Sequence, residues 1–321
     1  MRNVLALALK ALISGALLYF AFAHVKFELI GRQLDRLNYA WAAGAVAILI
    51  GQIVFGAWRW QAIVAQSEAL GAAPVSGAHV MRYMFIASFF NQTLPSTVGG
   101  DAVRIWLLGR DQGGWRLATY SVLVDRMIGV LALALLVIVC LPWSFALIHN
   151  PAGRAALLIV GFGSVGACLI FLGFGFLPQS MTDLCWVTRQ VSGASALARR
   201  VFAAPSSGIP VGIYSLAIHA MSVTAAWCLA RSVAAPLEWG AALLLVLPVI
   251  LIATIPLSIA GWGTRESAMV LAFGYAGLPE SAGLIVSVLF GLAMFAAGLV
   301  GGAVWILDRG RRLREARQAP R

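Results

Sequence analysis

The sequence predicts an all-α polytopic membrane protein with six spans and two re-entrant helical hairpins, arranged as an inverted repeat. Three observations lead there. Apolar residues make up 61% of the 321 positions and charged residues only 11%, with a mean hydropathy of +0.90, a balance foreign to soluble domains. One motif occurs in both halves: Thr93-Leu94-Pro95-Ser96-Thr97-Val98-Gly99-Gly100 and then Arg104; Thr254-Ile255-Pro256-Leu257-Ser258-Ile259-Ala260-Gly261 and then Arg265. Each copy follows an apolar run too short or too interrupted for an ordinary span, and paired broken segments in two halves of a membrane protein point to a transporter's binding site.

Taken in order, residues 4–23 form an apolar run close to the ~20 residues a span needs. Ala21-Phe22-Ala23 resembles a signal-peptidase site, but Lys10 inside the run argues against cleavage. Residues 26–38 place Phe27, Ile30, Leu34 and Leu37 at helical spacing, with Lys26, Arg32, Asp35 and Arg36 around the rest of the wheel, which suits a helix lying in the interface. Span 2 covers 39–57 and ends at Trp58-Arg59-Trp60, two indoles and a cation suited to the headgroup level. Residues 78–94 carry Arg82, Asn91 and Gln92 and stop at Pro95; a second piece from Asp101 to Leu108 completes the first hairpin, 78–110. Spans 3 and 4 cover 117–141 and 155–177, the latter with Gly161, Gly163, Gly166, Gly173 and Gly175, read as close helix packing. The polar stretch 179–207, with Arg189, Arg199 and Arg200, is expected to be a surface loop or interfacial helix. Span 5 covers 211–230. Residues 240–255, broken by Pro248 and ended by Pro256, pair with an arm at 266–275 as the second hairpin, 240–276. Span 6, 283–307, holds Gly298 and Gly302 at the spacing of a close-packing pair.

The order span, span, hairpin, span therefore occurs twice. Residues 1–141 form the first repeat, 142–308 the second, and 309–321 a basic cytoplasmic tail. Three crossings per unit is an odd number, so the second unit lies upside down relative to the first. With the N-terminus inside, fifteen of the 23 basic residues fall on inner segments and six on outer ones, which places both termini in the cytoplasm. The net charge of +11 owes much to Arg309, Arg311, Arg312, Arg314, Arg317 and Arg321, a cluster beside a span that suits anionic headgroups rather than nucleic acid. The four cysteines and four histidines show no paired spacing, so no disulfide, metal or cofactor is expected.

Function is expected at the hairpin breaks. Pro95 and Pro256 remove a backbone donor, while Gly99, Gly100, Gly261 and Gly263 allow conformations other residues resist, so backbone groups are exposed at depth. The helix that follows each break favours an anion at its N-terminus, and Arg104 and Arg265 add a planar cation suited to phosphate. The plainer alternative is that each arginine pairs with Asp101, Glu266 or a carbonyl and only holds its hairpin together. Asp125 and Arg126 lie inside span 3, where charges are costly and are functional candidates by default. Neighbours on a helix point apart, so each needs a partner elsewhere, and Asp101, Arg104, Arg265 and Glu266 are the economical choices.

Three runs carry a family resemblance: Asn91-Gln92-Thr93-Leu94-Pro95-Ser96-Thr97-Val98-Gly99-Gly100-Asp101-Ala102-Val103-Arg104, then Val124-Asp125-Arg126-Met127-Ile128-Gly129, then Gly261-Trp262-Gly263-Thr264-Arg265-Glu266. Together they resemble the lysylphosphatidylglycerol synthase transmembrane region, also called the flippase-like family, over nearly the whole chain. The resemblance implies a multi-pass protein of the bacterial inner membrane, related to the part of the synthase that moves aminoacylated phospholipid between leaflets. It makes Asp101, Arg104, Asp125, Arg126, Arg265 and Glu266 the substrate-binding candidates. No soluble aminoacyl-transferase domain follows span 6, so synthesis of a lysylated lipid is not expected. The expectation is a flippase or transporter, rather than an enzyme, for an anionic or modified phospholipid or a lipid-linked headgroup. With no ATP-binding motif, movement would run down a gradient or be coupled to an ion through Asp125 or Glu266. The alternatives are a membrane-embedded transferase using Asp101 and Glu266, and a non-transporting partner of an envelope-lipid enzyme. Expected partners are the lipid substrate, the membrane, and a second copy of the chain or an envelope-lipid enzyme, not nucleic acid.

Overall fold

The computed structural model describes residues 37–68, 71–94, 98–112, 114–178, 185–255 and 261–318, with isolated positions 12, 15 and 19. Apart from those three positions, the expected first span, 4–23, and nearly all of the expected interfacial segment, 26–38, lie outside the described residues. Among those described, all regular structure is helical. Five helices are long and apolar enough to cross a membrane: α1 (Tyr39–Glu68), α4 (Trp115–Leu147), α5 (Pro151–Gly173, prolonged by a tighter turn to Phe176), α7 (Pro205–Ser232) and α10 (Glu280–Gln318, apolar to Asp308). They fall on the expected spans 2 to 6.

Four shorter helices lie between them: α2 (Gly77–Thr93), α3 (Gly99–Gln112), α8 (Trp239–Ala253) and α9 (Thr264–Tyr275). At 12 to 17 residues, each is below the ~20 of a full span. Helix, break, helix thus occurs twice, and Pro95 and Pro256 fall in the intervals outside the described residues. The arms α2 and α3 run antiparallel. Asn91 Oδ1 accepts the Gly100 N–H at 2.9 Å near the break, and the Tyr83 hydroxyl donates to Asp111 at the far end. A Cβ on Gly100 would collide with the Ala87 carbonyl, so only glycine lets the arms approach this closely.

The remaining helix, α6 (Trp186–Ala203), falls in the stretch expected to be a surface loop or interfacial helix, and it is a helix with one buried face. It buries Ala194, Leu197, Ala198 and Val201 and exposes Arg189 and Arg200.

α1 and α7 lie side by side and antiparallel. The Asn38 N–H donates to the Ser232 carbonyl at 2.8 Å, Gln52 Nε2 to Ser222 Oγ at 2.8 Å, and Arg59 Nη1 reaches Ser215 Oγ at 3.4 Å. These two helices hold matching places in the two halves. The packing is reciprocal as well: α1 packs on α2 and α4 as α7 packs on α8 and α10, and α2 packs on α10 as α8 packs on α4. The main apolar core includes Leu133 of α4, Leu229 of α7, Leu245 and Leu247 of α8, Phe273 of α9 and Val286 of α10. Val139, Ile159, Leu169, Ile170 and Ile306 point outward, as side chains do when the solvent is lipid.

Three local expectations need correction. Trp58-Arg59-Trp60 does not end the helix: α1 continues to Glu68, and Arg59 and Trp60 are buried rather than presented to headgroups. The helical pattern resumes through Ile63 and Val64, which pack inside, and this outweighs the headgroup-like composition. Pro248 does not break α8, which passes through it; the residue is buried among neighbours, and proline is tolerated in membrane helices so enclosed. Gly163, Gly166 and Gly173 face no described residue within 4 Å and so do not mediate close packing. Gly298 and Gly302 do, against Ser88 and Phe89 of α2.

Candidate functional site

Five charged side chains from α1, α3 and α4 form one chain of ion pairs. Asp125, the eleventh residue of α4, accepts from Arg59 Nε through Oδ1 at 2.8 Å and from Arg104 Nη1 through Oδ2 at 2.9 Å. Arg104 turns its second terminal nitrogen to Asp101 Oδ1 at 2.6 Å, one turn back on α3. Asp101 Oδ2 accepts from Arg126 Nε at 2.7 Å. The order is Arg59, Asp125, Arg104, Asp101, Arg126, with each carboxylate held between two guanidinium groups.

Local sequence explains why these groups meet. Asp101 sits in the first turn of α3, where the free N–H groups favour a negative charge. Asp125 and Arg126 diverge on α4, as adjacent helical residues must, and each finds its own partner. Gly129 completes the fit: a Cβ there would stand 3.2 Å from Arg59 Nη1, so its absence leaves the guanidinium room. Trp60 lies under Arg104 with its ring centroid 4.9 Å from the guanidinium carbon, and its indole N–H donates to Ser121 at 3.2 Å.

Burial grades along the chain. Arg59, Asp125, Arg104 and Asp101 are all buried, whereas the Arg126 side chain is 48% exposed. Three cations face two anions, an excess of one positive charge. The group borders a cavity of about 170 Å³ whose walls include Arg59, Arg104, Asp125 and Arg126, with Asn91 and Ser88 from α2. Buried ion pairs of this kind cost desolvation, and hydrogen bonding on both sides of each acid offsets it.

The second hairpin carries a separate cluster. Arg265 Nη2 meets Glu266 Oε1 at 2.6 Å, and Ser287 of α10 bridges the two, accepting from Arg265 Nε at 3.1 Å and donating to Glu266 at 3.0 Å. Glu266 Oε2 accepts the Gly263 N–H at 2.7 Å. Gly261 and Gly263 have φ of 80° and 91°, a backbone region that side-chain-bearing residues avoid. Arg265 and Glu266 are both buried.

Of the six charged candidates, the structure brings together Asp101, Arg104, Asp125 and Arg126 and keeps Arg265 and Glu266 apart from them. Gly99 and Gly100 open α3 beside the first group; Gly261 and Gly263 precede α9 beside the second. The residue that sequence reasoning missed is Arg59. Its signal was present in the apolar pattern running on past Trp60, but the flanking indoles suggested an interface.

Fold and site together define a multi-pass helical membrane protein with a buried charge cluster beside a broken helix pair. The family model described as "Lysylphosphatidylglycerol synthase TM region" matches residues 7–302, and the chain belongs to that family. Comparison with curated proteins gives no match.

Proposed function

We propose that the chain carries a phosphate-bearing lipid headgroup between the leaflets of a bacterial inner membrane, using the cavity beside Arg104 and Arg126. The carrying observation is the half-exposed Arg126 at the cavity wall, at the end of an ion-pair chain with one cation in excess. A phosphodiester offers the missing negative charge and oxygens spaced to accept from a guanidinium. In this reading Asp101 holds Arg104 and Arg126 until phosphate arrives, and it releases part of one arginine to the incoming oxygen. Asp125 and Arg59 keep Arg104 in place throughout. Arg265 and Glu266 are the counterpart on the other face, closed against Ser287.

Two features support an inverted repeat: the antiparallel pairing of α1 with α7 and the reciprocal packing of the two halves; the placing of both termini in the cytoplasm rests on the distribution of basic residues alone. The length of the arms supports re-entry of the hairpins, since two short helices with a break between them can reach into a bilayer and return. The transferase alternative has weaker support. Both oxygens of Asp101 and both of Glu266 are already engaged, leaving neither directed at a substrate as a base.

A leaflet-resolved lipid assay in proteoliposomes tests the proposal. Protein-dependent movement of a phosphate-bearing lipid is expected; no movement across a panel of anionic and aminoacylated phospholipids would refute it.

A further inference from the structure

We infer a second lipid site, distinct from the transport cavity: a groove where the end of α5 meets α6, which binds one anionic phospholipid with its phosphate on Arg199. The groove has a volume of about 560 Å³, and its walls are Leu169, Leu172 and Phe176 from the α5 side and Phe202 and Ala203 from α6. It shares no residue with the charged cavity. Leu169 is 60% exposed and Phe176 76%, so the wall is presented to the bilayer rather than filled from within.

Among the described residues, Arg199 is the one charged side chain lining it. Its Nη2 donates to the Gly175 carbonyl at 2.6 Å, and its guanidinium carbon lies 4.3 Å from the Phe176 ring centroid. Nε is buried and has no hydrogen-bond partner among the described residues. A Cβ on Gly175 would stand 2.8 Å from that nitrogen, so the glycine makes room for the guanidinium. Arg199 gives one of its five N–H donors to Gly175, and a guanidinium so held has further donors for a phosphate oxygen.

The position fits a lipid rather than an acidic protein segment. The span of α5 ends at Phe176, which sets the groove at the boundary between acyl chains and headgroups, and its wall is almost wholly apolar. Residues 186–203 contain Arg189, Arg199 and Arg200 and no acidic residue, so the neighbourhood favours a net anionic headgroup over a zwitterionic one. The acyl chain then runs along Leu169, Leu172 and Phe202.

The test is lipid retention by the purified full chain, counted by native mass spectrometry after exchange into vesicles of phosphatidylglycerol or phosphatidylcholine. The wild type is expected to keep one phosphatidylglycerol that phosphatidylcholine does not replace. Arg199→Gln should weaken retention about fivefold, the worth of one arginine at a membrane surface. Arg199→Lys should fall between the two, and Leu169→Asn should weaken retention without touching the charge. Arg126→Gln, in the transport cavity, should leave this lipid in place, so failure here is separable from failure of the proposed transport. Equal retention in a folded Arg199→Gln, or no preference between the two lipids, would overturn the site. Displacement by inorganic phosphate alone or by a polyglutamate peptide would also overturn it, since either would show that the apolar wall plays no part.

Discussion

Asp125 and Arg59 are 66 residues apart in the chain and meet at 2.8 Å, both buried, at the crossing of α4 and α1. The contact converts a costly charge inside a long apolar helix into one held from two sides, because Arg104 takes the other carboxylate oxygen. Asp125→Asn removes the anion and leaves two guanidinium groups buried side by side. The expected loss is ~3–5 kcal/mol, the usual cost of breaking one partner out of a buried pair. Thermal unfolding in detergent measures it, and a loss below ~1 kcal/mol would mean the pair is solvated in the native protein.

Energetic coupling should follow the order of the chain of pairs. Double-mutant cycles of Asp125 with Arg59 and with Arg104 should be non-additive by ~0.5–3 kcal/mol, whereas Asp125 with Glu266 should be additive within ~0.5 kcal/mol. Coupling between Asp125 and Glu266 as large as that between Asp125 and Arg59 would contradict the division into two clusters.

Packing of α10 on α2 makes a sharper prediction about glycine. At Gly301 a Cβ would run into the Phe85 carbonyl, and backbone cannot yield as a side-chain tip can. Gly301→Ala should therefore destabilise by ~1–3 kcal/mol. Gly163→Ala, with no described neighbour within 4 Å, should leave stability unchanged or raise it slightly, since alanine is the better helix former. Equal effects in a thermal scan would count against this account of the α2–α10 contact.

Much of the fold was legible because apolar length is nearly sufficient evidence for a membrane helix. Spans 2 to 6 were therefore found within a few residues at most boundaries, as were the four arms of the two broken pairs. Errors arose where composition and environment part company. Arg59 between two tryptophans reads as an interface anchor until Asp125 is seen opposite it. Pro248 reads as a break until the enclosing helices are known. All of the ion-pair chain but Arg59 was legible for a different reason: Asp125 and Arg126 had to find partners, and Asp101 and Arg104 were within reach by motif. The direct pairing of Arg265 with Glu266 was the plainer of the two sequence readings; the part of Ser287 was not visible, because Ser287 lies 21 residues beyond Glu266 on another helix.

Orientation can be tested with a native residue. Cys185 is exposed at the start of α6, while Cys168 and Cys228 are buried and Cys140 is partly so. Hydrogen bonding from Thr188 lowers the Cys185 thiol below its ordinary pKa, which favours reaction with a maleimide. A membrane-impermeant maleimide should label Cys185 from the cytoplasmic face and not from the outside of intact cells. In a cysteine-free background, Thr97→Cys and Ser258→Cys should be labelled from opposite faces. Labelling of both from one face would remove the inverted repeat.

The central claim is that the cavity beside Arg126 is where a lipid headgroup passes, and the most direct measurement is headgroup transport per folded molecule in proteoliposomes for Arg126→Gln against the wild type. Arg126 is the most exposed member of the ion-pair chain, so its substitution is the least disruptive to folding. Transport is predicted to fall about tenfold or more, as expected for one charge-assisted hydrogen bond to phosphate, with thermal stability little changed. Arg126→Lys should recover part of the loss by keeping the charge without the planar fork. Wild-type transport in a correctly folded Arg126→Gln would contradict the account.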